Sequence, residues 1–143
     1  MESVILQVGT FLLYALGFVA FLIVTQDFHI FPGAVFSLFR RKGLRIANSL
    51  PPLIESHFIP TKDGKRLEVW EHAAQFENES RKEVAIIFHG NGAPLETFLF
   101  TQMWFSEMGI KSYCFDYRGF GASSGWPSEQ GLYEVGSSVA DFV

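Results

Sequence analysis

The 143-residue chain carries 11 Lys and Arg against 15 Asp and Glu, and this net charge of -4 is interspersed along its length. That leaves no basic stripe for nucleic acid and no acidic tail. A single cysteine, Cys114, excludes an intrachain disulfide, and His29, His57, His72 and His89 lack metal-ligand spacing, so neither a metal nor a cofactor is expected.

Residues 4–24 are almost wholly apolar, interrupted only by Gln7, Gly9, Thr10, Tyr14 and Gly17. As a helix they span about 31 Å, against a hydrocarbon core of about 30 Å. Their Leu, Ile, Phe and Val side chains favour insertion by very roughly 4 to 8 kcal/mol, which outweighs one glutamine near the end. The segment is expected to be a transmembrane helix with the lipid bilayer as its partner. A cleaved signal peptide is the competing reading, but Glu2 stands where Lys or Arg belongs and the apolar stretch exceeds the usual length.

Residues 25–53 read as a juxtamembrane or interfacial linker. Arg40, Arg41, Lys42 and Arg45 place the following domain on the cytoplasmic side by the positive-inside rule. Phe28, Ile30, Phe31, Val35, Phe36, Leu38 and Phe39 surround Pro32-Gly33, too short to cross again. They suit lying along the bilayer interface, or packing on the domain.

A soluble domain is predicted over 54–143, after Leu50-Pro51-Pro52 halts any helix. Residues 57–60 and 66–71 flank the turn signal Lys62-Asp63-Gly64, and Leu67 and Val69 alternate with Glu68 and Trp70, as in a half-buried hairpin. Residues 75–82 are polar and read as a loop. Residues 84–88 have no polar alternation and predict a central strand covered on both faces. The next helix starts near Pro94 and stops at Gly109. Its Leu95, Phe98, Leu99, Met103, Trp104 and Met108 make an apolar surface broad enough for deep packing. Residues 110–115 predict another strand, and Ser128 caps a helix with Leu132, Val135, Val139 and Phe142 on one face. A hairpin followed by strand, helix, strand and helix gives an α/β fold with a parallel sheet.

Two glycine-rich loops carry the chemistry. Phe88-His89-Gly90-Asn91-Gly92 lies where a strand ends and a helix begins, a place where backbone N–H groups can face an anion or oxyanion. A phosphate-binding P-loop needs Gly-Lys-Ser/Thr, and no lysine occurs between Gly90 and Gln102. Gly121-Ala122-Ser123-Ser124-Gly125 matches the nucleophile pattern G-x-S-x-G, but residues 117–120 separate it from the strand, and Trp126-Pro127 separates it from the helix. Ser123 is therefore read as a decoy. Gly119, Gly121 and Gly125, with Asp141 about twenty residues on, also suggest a dinucleotide fingerprint. The Trp-Pro interruption argues against it, because a pyrophosphate needs the helix N-terminus at the glycines.

From about Glu55 onward, His89-Gly90-Asn91-Gly92, the run Asp116-Tyr117-Arg118-Gly119-Phe120-Gly121-Ala122-Ser123-Ser124-Gly125, and Pro127-Ser128-Glu129-Gln130-Gly131-Leu132-Tyr133 resemble the N-terminal half of membrane-anchored α/β-hydrolases of the serine aminopeptidase-like, abhydrolase-domain kind. The resemblance implies the first part of a hydrolase sheet behind the transmembrane helix. It also implies that the Asn91 amide belongs to an oxyanion hole. His89, Gly90, Gly92, Asp116, Arg118, Gly119 and Gly121 would support that loop, with Arg118 and Asp116 tying the turn together. The family's serine, acid and histidine come later in the chain, so these residues are expected to stop before the nucleophile elbow and to be inactive alone. Ala93-Pro94 departs from the Gly-Asn of the nearest relatives, which affects the shape of the loop. The implied activity is hydrolysis of an ester, thioester or amide, on a small-molecule or lipid-like substrate, by the full-length form. The alternatives are a non-enzymatic membrane-anchored interaction module and a dinucleotide-binding α/β module.

Overall fold

A computed structural model describes residues 2–34, 51–76, 83–93 and 95–143. The basic cluster at 40–45, most of the linker, part of the 75–82 loop and Pro94 lie outside these. The chain divides into two compact units, the first ending at Ile30 and the second running from Phe31 to Val143.

The first unit is one helix, α1 (Glu2–Ile30), long and apolar enough to cross a membrane, a test that signal sequences pass as well. Its two threonines return their hydroxyls to the helix: Thr10 donates to the Leu6 carbonyl at 2.9 Å and Thr25 to the Phe21 carbonyl at 2.7 Å. Such back-bonding removes the hydroxyls' need for water.

The second unit is a four-stranded sheet with helices on both faces. Strands β1 (Ile54–Pro60) and β2 (Arg66–His72) form the predicted hairpin, in register from Ile54 opposite His72 to Pro60 opposite Arg66. The turn is closed by the Thr61 amide donating to the Lys65 carbonyl at 2.8 Å. After β3 (Val84–Ile87) come a 3₁₀ turn (Leu95–Phe98), helix α2 (Leu99–Glu107), β4 (Lys111–Phe115) and α3 (Glu129–Phe142). The strand order is β1-β2-β4-β3, with β4 antiparallel to β2 and parallel to β3. The period-2 alternation of β2 and β4 divides the core. Leu67, Val69, Tyr113 and Phe115 meet Val135 and Val139 of α3 on one face, while Trp70 and Cys114 meet Leu95 on the other. Ser128 accepts from the Gly131 amide at 3.1 Å, capping α3 as its sequence predicts.

Three expectations change. The hairpin is not half-buried at β2, because β4 pairs beside it and Trp70 is enclosed by the opposite layer. Strand β3 is less covered than its apolar run predicts, with Val84 exposed and the rest half-buried; among the described residues it pairs with β4 alone, the bare edge that the first part of a hydrolase sheet is expected to leave. The broad apolar surface over 95–108 is buried only in its first half: Leu95, Phe98 and Leu99 join the core, while Trp104 is 64% exposed and Met103 and Met108 are exposed with it. The polar Gln102 and Ser106 point inward instead, donating to the carbonyls of Trp70 at 3.0 Å and Ala73 at 2.8 Å. Buried carbonyls require donors, and these two side chains supply them.

Candidate active site

The loop that leaves β3 turns at His89, which is buried, while Phe88 swings outward and sets its ring edge-on to Phe115 at 5.0 Å. His89 Nδ1 lies 2.9 Å from the Gly90 carbonyl oxygen. A carbonyl only accepts, so Nδ1 carries the proton. Nε2 faces Asp116 Oδ1 at 3.5 Å, and the ring packs against Tyr117 with centroids 4.3 Å apart. Tyr117 donates its hydroxyl to the His89 carbonyl at 2.9 Å. Burial pushes the Asp116 carboxyl above the usual carboxylate range, and His89 beside it pulls the other way.

The Gly90 carbonyl is held twice, by His89 and by the Ala93 amide at 3.3 Å. No described peptide bond is cis. In a trans peptide the C=O and the following N–H point in opposite directions, so fixing the Gly90 oxygen also fixes the direction of the Asn91 N–H. Among the described residues that N–H donates to no other backbone group, and Asn91 is exposed. Asn91 borders a half-open cavity of about 190 Å³ lined by Phe31, His89, Tyr117, Phe120 and Leu132. A backbone donor beside an apolar space can polarise the carbonyl of a neutral ligand.

The second loop surrounds Asp116. Gly92, Gly119 and Gly121 all have positive φ. At Gly121, with φ 48°, a Cβ would overlap Asp116 Oδ2, so only glycine lets the chain close over the carboxylate. Arg118 does not tie the turn to Asp116. It pairs with Asp63 of the hairpin turn at 2.7 Å and with Glu134 of α3, both acids reaching it from other elements, while Asp116 is turned inward to His89.

Ser123 is fully buried. Its hydroxyl donates to the Asp116 carbonyl at 2.7 Å and accepts from the Glu68 amide at 2.9 Å. Ser124 adds two contacts to β2, its amide donating to the Arg66 carbonyl at 2.7 Å and its Oγ accepting from the Arg66 amide at 2.8 Å. The G-x-S-x-G run is thus clamped along β2 and offers no exposed nucleophile. Helix α3 begins only at Glu129, beyond Trp126-Pro127, so the glycines at 119, 121 and 125 do not lead into its N-terminus. Among the described residues no three His, Cys, Asp or Glu converge as a metal would need.

Sequence reasoning picks out the two loops but not the residues that complete the cavity. Phe31, read as interfacial or packed on the domain, is buried with Ala34 and Phe120. Tyr117, Phe120 and Leu132 carry the same apolar signal as any core residue, and nothing in their spacing marks them.

No family model matches the chain. The uncharacterized protein YfhR of Salmonella typhimurium is 29% identical over 127 residues, covering 88% of this chain and 43% of that protein. The uncharacterized membrane protein YNL320W of Saccharomyces cerevisiae is 32% identical over 73 residues, half of this chain and 24% of that protein. The chain therefore spans less than half the length of these curated relatives. Among solved structures, an alpha-beta hydrolase from Vibrio vulnificus superposes with a TM-score of 0.54 at 23% identity, over 64% of this chain and 30% of that one. The esterase EaEST from Exiguobacterium antarcticum does so with a TM-score of 0.52 at 20% identity, over 62% of this chain and 31% of that one. At such identities the similarity establishes the fold. Phe31–Val143 carries part of an α/β-hydrolase sheet, and an apolar helix precedes it.

Proposed function

We propose that these residues form the oxyanion-binding part of a membrane-anchored serine hydrolase, which cleaves an ester, thioester or amide through an acyl-enzyme. The observation that carries this reading is the Gly90-Asn91 peptide. Its carbonyl is pinned by His89, and its N–H is left without a backbone partner among the described residues, beside an apolar cavity. Donors preset toward developing negative charge are worth several kcal/mol in a tetrahedral transition state, because no reorganisation is needed when the charge appears. The nucleophile in this reading comes from beyond residue 143, since Ser123 is enclosed and bonded to backbone on both sides.

A fluorophosphonate probe tests the reading. A form that extends past Val143 labels at a serine outside residues 1–143, and the 143-residue chain does not label. Labelling of Ser123, or no labelling of the longer form, refutes it. The anchor rests on the length and apolarity of α1, with the cytoplasmic side assigned from Arg40, Arg41, Lys42 and Arg45. Protease protection in sealed vesicles checks the side.

The edge of β3, which among the described residues has one partner strand, supports a second reading, a non-enzymatic module whose sheet is completed by a strand of another chain. Stable capture of a partner through residues 84–87, together with absence of hydrolase labelling in every form, would favour it.

A further inference from the structure

We infer that Phe31–Ala34, the turn directly following α1 in the chain, is a wall of the candidate site and sets the size of its ligand, a short neutral acyl chain whose carbonyl meets the Asn91 amide. This rests on the oxyanion reading above for the role of Asn91, while the part played by Phe31 is separate.

The turn is held tightly. Ala34 is fully buried, its amide donates to the Phe31 carbonyl at 3.1 Å, and Phe31 is only 8% exposed. A Cβ at Gly33 would lie 2.7 Å from Gly92 Cα, 2.8 Å from Gly92 N and 2.5 Å from Phe120 Cε1. The backbone of this turn is therefore pressed against the same glycine loop that presents Asn91.

Phe31 and Phe120 are buried together with Tyr117 and Leu132 packed against them, and the same four side chains border the half-open cavity of about 190 Å³. An apolar cavity of about 150 Å³ accepts benzene, so this one has room for one ring or a chain of about six carbons. No lining residue is an acid, lysine or arginine, and two of the polar groups are already engaged: His89 Nδ1 with Gly90, and the Tyr117 hydroxyl with His89. The backbone amide of Asn91 remains for a ligand oxygen, and the lining has no Lys or Arg as counter-charge for a carboxylate or phosphate, which favours a neutral ligand.

The test uses the full ¹⁵N-labelled chain in lipid nanodiscs, titrated with methyl hexanoate or methyl dodecanoate while the Asn91 and Gly92 amide resonances are followed. Methyl hexanoate shifts both, and methyl dodecanoate binds about tenfold more weakly. Phe31→Ala reverses that preference, and Phe31→Trp weakens methyl hexanoate about tenfold. The amides of β2 and β4 report folding of each variant, and Phe31→Leu takes the place of Phe31→Ala if that variant unfolds. Unchanged chain-length preference across the folded variants, or shifts that bypass Asn91 and Gly92, overturns the inference. Failure of a longer form to react with fluorophosphonate would remove the hydrolase reading but leave a Phe31-dependent preference standing.

Discussion

Ser123 and Asp116 are joined by the Ser123 hydroxyl, which donates to the Asp116 carbonyl while accepting from the Glu68 amide. Ser123→Ala strands a buried donor and a buried acceptor at once, for which about 1–3 kcal/mol is expected. Denaturant unfolding of the full chain in detergent micelles measures the loss. A Ser123→Ala chain as stable as the parent would show that the clamp is not formed.

Arg118 joins the hairpin turn to α3 through Asp63 and Glu134. Its side chain is mostly buried, so Arg118→Ala is expected to cost about 1–3 kcal/mol, with part of the loss reproduced by high salt. The Thr61 hydroxyl holds the Asp63 carboxyl below the usual carboxylate range, against the next-largest effect, desolvation, with Arg118 adding a weaker lowering. For a lowered carboxylate the stabilisation is present at neutral pH and disappears as pH falls through its folded pKa, below about 4. Asp63→Asn flattens that acid limb in melts recorded from pH 2 to 7.

Asp116 has the opposite sign. Burial raises its carboxyl, so its contribution is intact below the ordinary carboxylate pKa of about 4 and is lost as pH rises through the folded value. Asp116→Asn removes this downward slope. Comparing melting temperatures of the two chains from pH 3 upward checks it, and parallel curves would rule it out.

Gly121→Ala forces a left-handed backbone on a residue with a Cβ and drives that carbon into the Asp116 carboxylate. The backbone effect alone costs roughly 1–2 kcal/mol, and the collision adds to it. Gly9, with nothing near its would-be Cβ, serves as the comparison: Gly9→Ala is expected to unfold with the parent.

Cys114 is fully enclosed between β2 and β3, and burial, followed by the nearby Asp116, pushes its thiol up to about 12. Because the thiolate is the reactive species, an aromatic disulfide reagent at pH 8 should modify it only at the rate of unfolding. Rapid modification in native buffer would show that the sheet opens locally.

Much of the fold could be read from the sequence because local patterns and tertiary contacts agree. Leu67 and Val69 alternate as a strand requires, Gly109 stops α2 at φ 74°, and Ser128 caps α3. Reading was less successful where long-range partners decide. Gln102 looks like a solvent residue until the Trp70 carbonyl is placed above it, and Arg118 finds Asp63 and Glu134 rather than the acid two residues away. The candidate loop was visible as His89-Gly90-Asn91-Gly92. Its hydrophobic surroundings were not, since Phe31 comes from far upstream and carries no sign of where it packs.

In the sheet, β4 lies between β2 and β3, strands that both precede it in the sequence. Asp116 and Tyr117, which hold His89, follow β4 directly. During synthesis the Gly90 bend and His89 therefore leave the ribosome before Asp116 and Tyr117 have been translated to hold the histidine. The bend can set only when a later strand inserts between two earlier ones, a non-local and slow step, whereas the β1–β2 hairpin can close as soon as it emerges. The Asn91 amide would then be among the last features to take its direction, and its fixing would report that β4 has inserted.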